Sequence, residues 1–406
     1  MAKTKPTRTS TKAHNKKKKA RPQETPEQLY DRAITLISQS QPEEALQAAL
    51  KLLSTLHPNA NSAYPQTTLP TLNLIGEIYV ELGDADEARR YFKDAVDIDP
   101  DGAADEDMGG GSEKFLWLAQ LCESGGAESV TWFERGVAVL KREIAQLQER
   151  VESGKVQDEE KESLEGMVQY KRERLAKALC GVVEIYMTDL SWESDAETRC
   201  EGLITEALLL SPASPEVLQT VASVRLSQIR LEDARAALAR SIDLWKNLDP
   251  EDPDVPDFPT RISLARLLME AEMEDEAMEV IERLISEDDQ SVEAWYLGGW
   301  CLHLLANKRK QEANGMITNE DSAESKEALA MLKSSREWLL KTLTLYGLLE
   351  YEDARLKEHT TELVTQLNSM LGEPDEGAGE EEDGFDDGWE DEDLDGVAGD
   401  EEMEGT

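Results

Sequence analysis

The chain has 406 residues, 39% of them hydrophobic and 5% aromatic, and a formal net charge of −43. This composition suits a solvated helical array better than a compact β core. An acidic surface of this size argues against nucleic acid and anionic membrane as partners and favours a basic protein. The charge is unevenly placed. Residues 1–22 hold nine basic residues and no acidic one, and residues 372–406 hold eighteen acidic residues and no basic one. Between them remain 34 basic and 68 acidic residues, so the part expected to fold is itself acidic. Cys122, Cys180, Cys200 and Cys301 form no C-x-x-C pair and read as small apolar helix residues in a reducing compartment. The basic start lacks the apolar core of a secretory signal, and no apolar run approaches the ~20 residues of a membrane span. The expectation is a soluble intracellular protein.

Residues 1–22 are polar, Pro-containing and positive, and are expected to be disordered. Lys16, Lys17, Lys18 and Lys19 with Arg21 read as a nuclear localisation signal or as a non-specific basic arm. Pro26 and Glu27 suit a helix start, with Leu29, Ala33 and Leu36 on one face and Ala45, Ala49 and Leu52 on a facing helix. Leu69 to Asp101 is the most regular stretch. It splits at Gly83-Asp84 into two amphipathic helices, with small residues at Gly76, Ala88 and Ala95, large ones at Leu72, Tyr79 and Phe92, and Pro100 at the end. DGAADEDMGGGS follows and reads as a flexible acidic loop. A third helix pair has Ala119, Ser129, Phe133 and Gly136 at matching positions but is two residues short. Its second helix runs on, with Ile144, Leu147 and Val151 on one stripe and Leu164, Met167 and Leu175 on another, which predicts an extended helical hairpin over 141–178. A fourth pair carries Leu179, Val183 and Tyr186, then Cys200, Ile204 and Ala207. A fifth carries Leu218 and Ala222, then Ala234 and Leu238. A sixth carries Leu264 and Ala265, then Ala277 and Ile281. NLDPEDPDVPDFP is a rigid acidic connector between the last two. A seventh pair starts at AWYLGGW and has its turn swollen by an insertion over 307–330. TELVTQLNSML supplies a capping helix. From Gly372 the acidic tail is expected to be disordered, with Phe385, Trp389 and Leu394 spaced through it.

The series Leu72, Gly76, Tyr79, Ala88, Phe92, Ala95, Pro100 resembles the tetratricopeptide repeat (TPR), with only the leading Trp replaced. The fold expected is all-α: a TPR superhelical solenoid of about seven irregular repeats over 23–371, between two disordered termini. In that family the first helix of each repeat lines a concave groove. Carried onto this chain, its exposed positions include Tyr30, Asn73, Glu77, Glu81, Glu184, Glu216, Gln219, Glu270 and Trp295, an acidic groove with apolar footholds. The Lys and Asn clamp that some TPR proteins use for chaperone C-termini is missing.

No constellation for catalysis stands out. There is no P-loop, G-x-G-x-x-G, G-x-S-x-G or H-E-x-x-H, and His14, His57, His303 and His359 are scattered. The reading is a binding protein without cofactor or metal, whose client is an Arg/Lys-rich protein segment.

Over its basic arm, irregular repeats, extended hairpin after WFERGVAVL, LLSPASPEVL junction and EEEDGFDDGWEDED tail, the chain resembles the fungal dedicated assembly chaperones of large-subunit ribosomal protein four. The resemblance implies capture of that newly made basic protein through its long internal loop, protection, and escort from cytoplasm to nucleus for pre-60S assembly. It also implies a nuclear import receptor as a further partner and a monomer in a 1:1 complex, with no direct nucleic acid or membrane binding. A TPR histone chaperone and a TPR scaffold subunit are the alternatives. In histone chaperones of this kind the acidic run interrupts a repeat, whereas here the longest run is C-terminal.

Overall fold

The computed structural model describes residues 24–56, 65–153, 157–315 and 323–372. The basic arm with Lys16 to Lys19 and Arg21, and the acidic tail beyond Gly372, lie outside the described residues. The described residues are helical with no strand, and the chain divides into two compact units, Met1–Val280 and Ile281–Thr406.

The first unit opens with α1 (Pro26–Ser38) and α2 (Pro42–Leu56). Thr25 and Gln28 make a reciprocal capping box, and Pro26 stands where a missing N–H costs nothing. α3 (Pro65–Glu81) and α4 (Ala85–Ile98) form the regular pair, with Asp84 capping α4 through the Glu87 N–H. The small and large residues mesh: a Cβ on Gly76 would lie 2.7 Å from the Phe92 ring, so only glycine lets the two helices approach this closely. After α5 (Glu113–Gln120) come the long α6 (Gly126–Glu152) and α7 (Asp158–Met187), then α8 (Ala196–Leu210), α9 (Pro215–Ser227), α10 (Leu231–Asp243) and α11 (Phe258–Glu270). α12 (Glu274–Glu287) spans the division between the units.

Two devices recur at the repeat period. Ser40, Gly83, Ile229 and Glu272 each occupy the turn between the two helices of a repeat, and all four have positive φ, between 55° and 76°. Six residues beyond two of these turns, an arginine clasps the next turn along. Arg89 donates to the Leu121 carbonyl (2.8 Å), and Arg235 to the Ala271 carbonyl (2.8 Å) and the Glu272 carboxylate (2.9 Å).

The expected flexible acidic loop is instead a packed insert. Asp99 and Lys114, both buried, pair at 2.8 Å, and Asp99 Oδ1 also accepts from the Ala103 (2.8 Å) and Ala104 (3.3 Å) N–H groups. Arg135 holds the Pro100 carbonyl (2.6 Å) and Arg142 the Asp101 carbonyl (3.2 Å). Buried Lys171 of α7 takes Glu106 (2.8 Å) from the insert and Glu143 (2.9 Å) from α6. The glycines are steric requirements: a Cβ on Gly110 would lie 1.8 Å from the Ala104 carbonyl oxygen, and one on Gly109 (φ +77°) 2.6 Å from the Pro70 nitrogen. The order comes from cations outside the insert, Lys114 just after it and Arg135, Arg142 and Lys171 farther along the chain, which the insert's own composition does not reveal.

α6 and α7 pack on each other through Ile144, Leu147, Leu164, Val168 and Leu175, all buried. Val168 takes the inward place assigned to Met167, which is 43% exposed. Nearer the repeat, the Phe133 ring of α6 lies 2.8 Å from where a Gly181 Cβ would stand on α7.

In the second unit, α13 (Val292–Gly315) and α14 (Ala323–Leu348) are both long. The predicted insertion at 307–330 is therefore mostly a continuation of these two helices, with only 316–322 lying outside the described residues. A Cβ on Gly298 would fall 2.2 Å from the Trp338 ring, and Ser335 donates to the Gly299 carbonyl (2.7 Å). α15 (Ala354–Leu371) covers the end, laying Leu363, Val364 and Leu367 against the cluster that holds Leu332 and Leu339.

Candidate functional site

A groove with a cavity of about 870 Å³ runs through the first unit, walled by α5, α6, α7, α9 and α11. Three of the sequence-predicted residues, Glu184, Glu216 and Gln219, line it, with Met187, Ser223 and Arg266. The helical period explains the grouping: Cys180, Glu184 and Met187 share one face of α7, as Glu216, Gln219, Thr220 and Ser223 share one face of α9.

The lining is mixed in charge rather than acidic. Glu173, Glu184 and Glu216 share it with Arg174, Lys177 and Arg266. Lys177 pairs with Glu216 at 2.9 Å, and Glu173 accepts from Gln169 at 2.8 Å. Glu184 is different: no hydrogen bond or ion pair engages its carboxylate among the described residues, and desolvation by the groove wall raises its pKa above the ordinary glutamate value. Gln219 is buried with its Nε2 donor unpartnered, so an acceptor from outside would complete it. Burial also raises the thiol of Cys180, to about 11, and that of Cys200. Cys301 is fully buried in the second unit, while Cys122 is partly exposed in the turn after α5.

Toward α1, the inner face gathers Tyr30, Glu77, Glu113 and Arg174. Burial raises the pKa of Glu77, the Glu113 charge adds to this, and Arg174 offsets it. Glu113 is raised by burial although Arg174 pairs with it, and Tyr30 by burial and then by the Glu77 charge. Here the chain covers its own surface. Asn73 donates to the Gly109 carbonyl of the insert at 2.8 Å, so this predicted groove position is occupied internally. Glu81 and Glu270 stand exposed at the ends of α3 and α11 and do not line the groove. Trp295 belongs to the second unit. Its indole donates to the Asp289 carbonyl (2.7 Å) and meets Trp338 edge-on at 5.0 Å, which gives it a packing role there.

The sequence reading missed the internal cations Lys114, Lys171 and Arg174. Lysine or arginine on the buried face of an otherwise amphipathic helix was the available signal. Among the described residues no cluster of His, Cys, Asp and Glu is placed to hold a metal ion, and no helix is long and apolar enough to cross a membrane.

The tetratricopeptide repeat model matches residues 69–101. The probable assembly chaperone of rpl4 from Emericella nidulans is 52% identical over 336 residues, covering 83% of this chain and 80% of that protein. The protein of the same name from Schizosaccharomyces pombe is 32% identical over 298 residues, covering 73% and 80%. Among solved structures, residues 1–338 of an assembly chaperone of RpL4 (Acl4) align with a TM-score of 0.65 and 51% identity, covering 71% of this chain and 99% of that one. With its TPR helix pairs, its groove and relatives this similar over most of their length, the chain belongs to the family of rpl4 assembly chaperones.

Proposed function

We propose that this chain is a dedicated chaperone that binds the newly made large-subunit ribosomal protein rpl4, keeps it soluble and delivers it for assembly of the large subunit. The observation that carries this reading is the 52% identity with an rpl4 assembly chaperone over 83% of the chain. The groove supports it chemically. A free basic segment aggregates with polyanions, and a trough offering an unpaired, partly desolvated carboxylate at Glu184 and an unsatisfied amide donor at Gln219 suits a lysine or arginine and a neighbouring backbone carbonyl. Exposed pairs contribute only ~0.2–1 kcal/mol each, so anchors inside the groove matter more than the total charge.

The finer reading is a 1:1 complex in which the groove holds the long internal loop of rpl4. The basic arm with Lys16, Lys17, Lys18, Lys19 and Arg21 then acts as a signal for a nuclear import receptor, and the complex passes from cytoplasm to nucleus. On this reading the chain binds and catalyses nothing.

Co-expression tests it. Full-length rpl4 is expected to co-purify with this chain in a 1:1 ratio by light scattering, and rpl4 without its internal loop is expected to be lost from the pull-down. Undiminished capture of the loop-deleted client would reject the groove as the loop's site. Replacing the four lysines by serine is expected to abolish nuclear accumulation of a fluorescent fusion.

A further inference from the structure

Two features on one edge of the first unit are unexplained by folding. Ile229, in the turn between α9 and α10, has φ +59° and is 93% exposed. A β-branched residue in the left-handed region is strained, and here no burial offsets the strain. The matching turn positions elsewhere hold Ser40, Gly83 and Glu272, which are small or polar. Trp192, in the turn between α7 and α8, is 71% exposed. A large aromatic left this open is costly in water and common at the centre of binding surfaces.

The two turns are neighbours. Gln228 beside Ile229 donates to Glu197 (3.4 Å) and Glu201 (2.9 Å) in the first two turns of α8, and Arg230 on its other side pairs with Glu201 (3.6 Å). Both turns lie just past the end of the groove lining. Met187, the last groove-lining residue of α7, stands five residues before Trp192, and Ser223, the last of α9, six before Ile229. The rim is net acidic: between Thr188 and Glu201 stand five carboxylates and Arg199, which is committed to Asp195 at 2.8 Å, and the Ile229 side adds Arg225 and Arg230, both paired with Glu201.

We infer that Trp192 and Ile229 form a second docking surface for the client, taking an apolar side chain flanked by lysines or arginines from the segment that leaves the groove over this rim. This rests on the reading of the chain as a chaperone of a basic protein. Continuity with the groove and complementary charge point to the client as occupant; a second copy of this chain would bring the same negative charge to the patch and be repelled. Two linked contacts raise affinity through effective concentration, which suits a groove whose other charges are largely paired internally.

The test measures rpl4 affinity by calorimetry at 150 mM salt, about physiological strength, for the full chain and for Trp192→Ala, Ile229→Gly and the double variant, with Glu184→Lys reporting on the groove. Trp192→Ala is expected to weaken binding about tenfold and the double variant further. Ile229→Gly is expected to weaken binding while raising the melting temperature, because strain is removed. Loss of affinity through misfolding would have the opposite sign. Unchanged affinity in the double variant, with Glu184→Lys still weakening it, overturns the rim and leaves the groove standing. Unchanged client affinity with loss of some other co-purifying protein assigns the rim to a different partner and overturns it equally. Failure of the wild-type chain to bind rpl4 at all removes both readings.

Discussion

On α3 Asn73 is engaged by the chain's own insert, whereas Glu184 on α7 and Gln219 on α9 are left open. The Asn73 amide N–H donates to the Gly109 carbonyl, although its Oδ1 has no partner; among the described residues Gln219 has a buried donor with no partner and Glu184 a carboxylate with no cation. Both regions are built from the first helices of TPR pairs, so repeat position alone does not determine a binding role. What separates them is whether the intervening chain returns to satisfy the surface.

The comparison can be broken most severely at the insert. Asp99→Ala leaves Lys114 buried without its carboxylate, and the expected loss is about 3–5 kcal/mol in urea unfolding. Asp99→Asn joined to Lys114→Met should recover much of it. The same pair has a pH signature. Burial acts to raise the Asp99 pKa, but the Lys114 hydrogen bond and the Ala103 and Ala104 N–H groups outweigh it and hold the carboxyl below its ordinary 3.8. A lowered pKa stabilises the fold fully above the unfolded value and loses that contribution as pH falls through the folded one. The acid limb of the stability curve below about pH 3.8 should therefore flatten in Asp99→Asn.

A smaller loss is expected from Gly110→Ala, whose methyl would meet the Ala104 carbonyl and force the backbone to shift, at about 1–3 kcal/mol. Hydrogen exchange at Gly109 to Gly111 should rise with it if the insert loosens as a unit.

On the open side, charge reversal sharpens the contrast. Glu184→Lys should weaken rpl4 binding roughly tenfold or more, whereas Glu81→Lys, on an exposed helix end away from the groove, should change it by less than about twofold. Because burial raises the Glu184 pKa above 4.5, acidification should neutralise it from a higher pH than an ordinary glutamate. Affinity should thus begin to fall at a higher pH in the wild type than in Glu184→Gln, read by calorimetry across a pH series. The smallest effect is a gain: Ile229→Gly should stabilise the fold by up to about 1 kcal/mol, seen as a modest rise in melting temperature.

Much of this fold was legible in the residues. The spacing of Gly76, Ala88 and Phe92 reports a close helix–helix approach directly, and the same period located the helix pairs at Pro26, Pro215 and Phe258. Asp101 to Ser112 was misread because glycine and acid in a short run are the marks of a mobile loop, and the lysines that order it lie on α5 and α7. Asn307 to Gly315 was misread because a polar stretch past the repeat boundary looks like a turn, although it continues α13. The groove was half legible. Glu184, Glu216, Gln219 and Arg266 stand at the repeat positions that point inward, but Arg174 and Lys177 on the same walls do not, and these cations change the trough from acidic to balanced.

The unequal thiols have a practical consequence. Cys180, Cys200 and Cys301 are shielded, the first with its ionisation suppressed, so an electrophile added to the folded chain meets Cys122 first. That sulfur sits in the turn after α5, and the next such turn along carries Trp192; the Gly126 N–H donates to Asp189 at 2.9 Å between them. A maleimide dye would therefore place one fluorophore beside the groove's lip without any engineered substitution, ready to report on what arrives there.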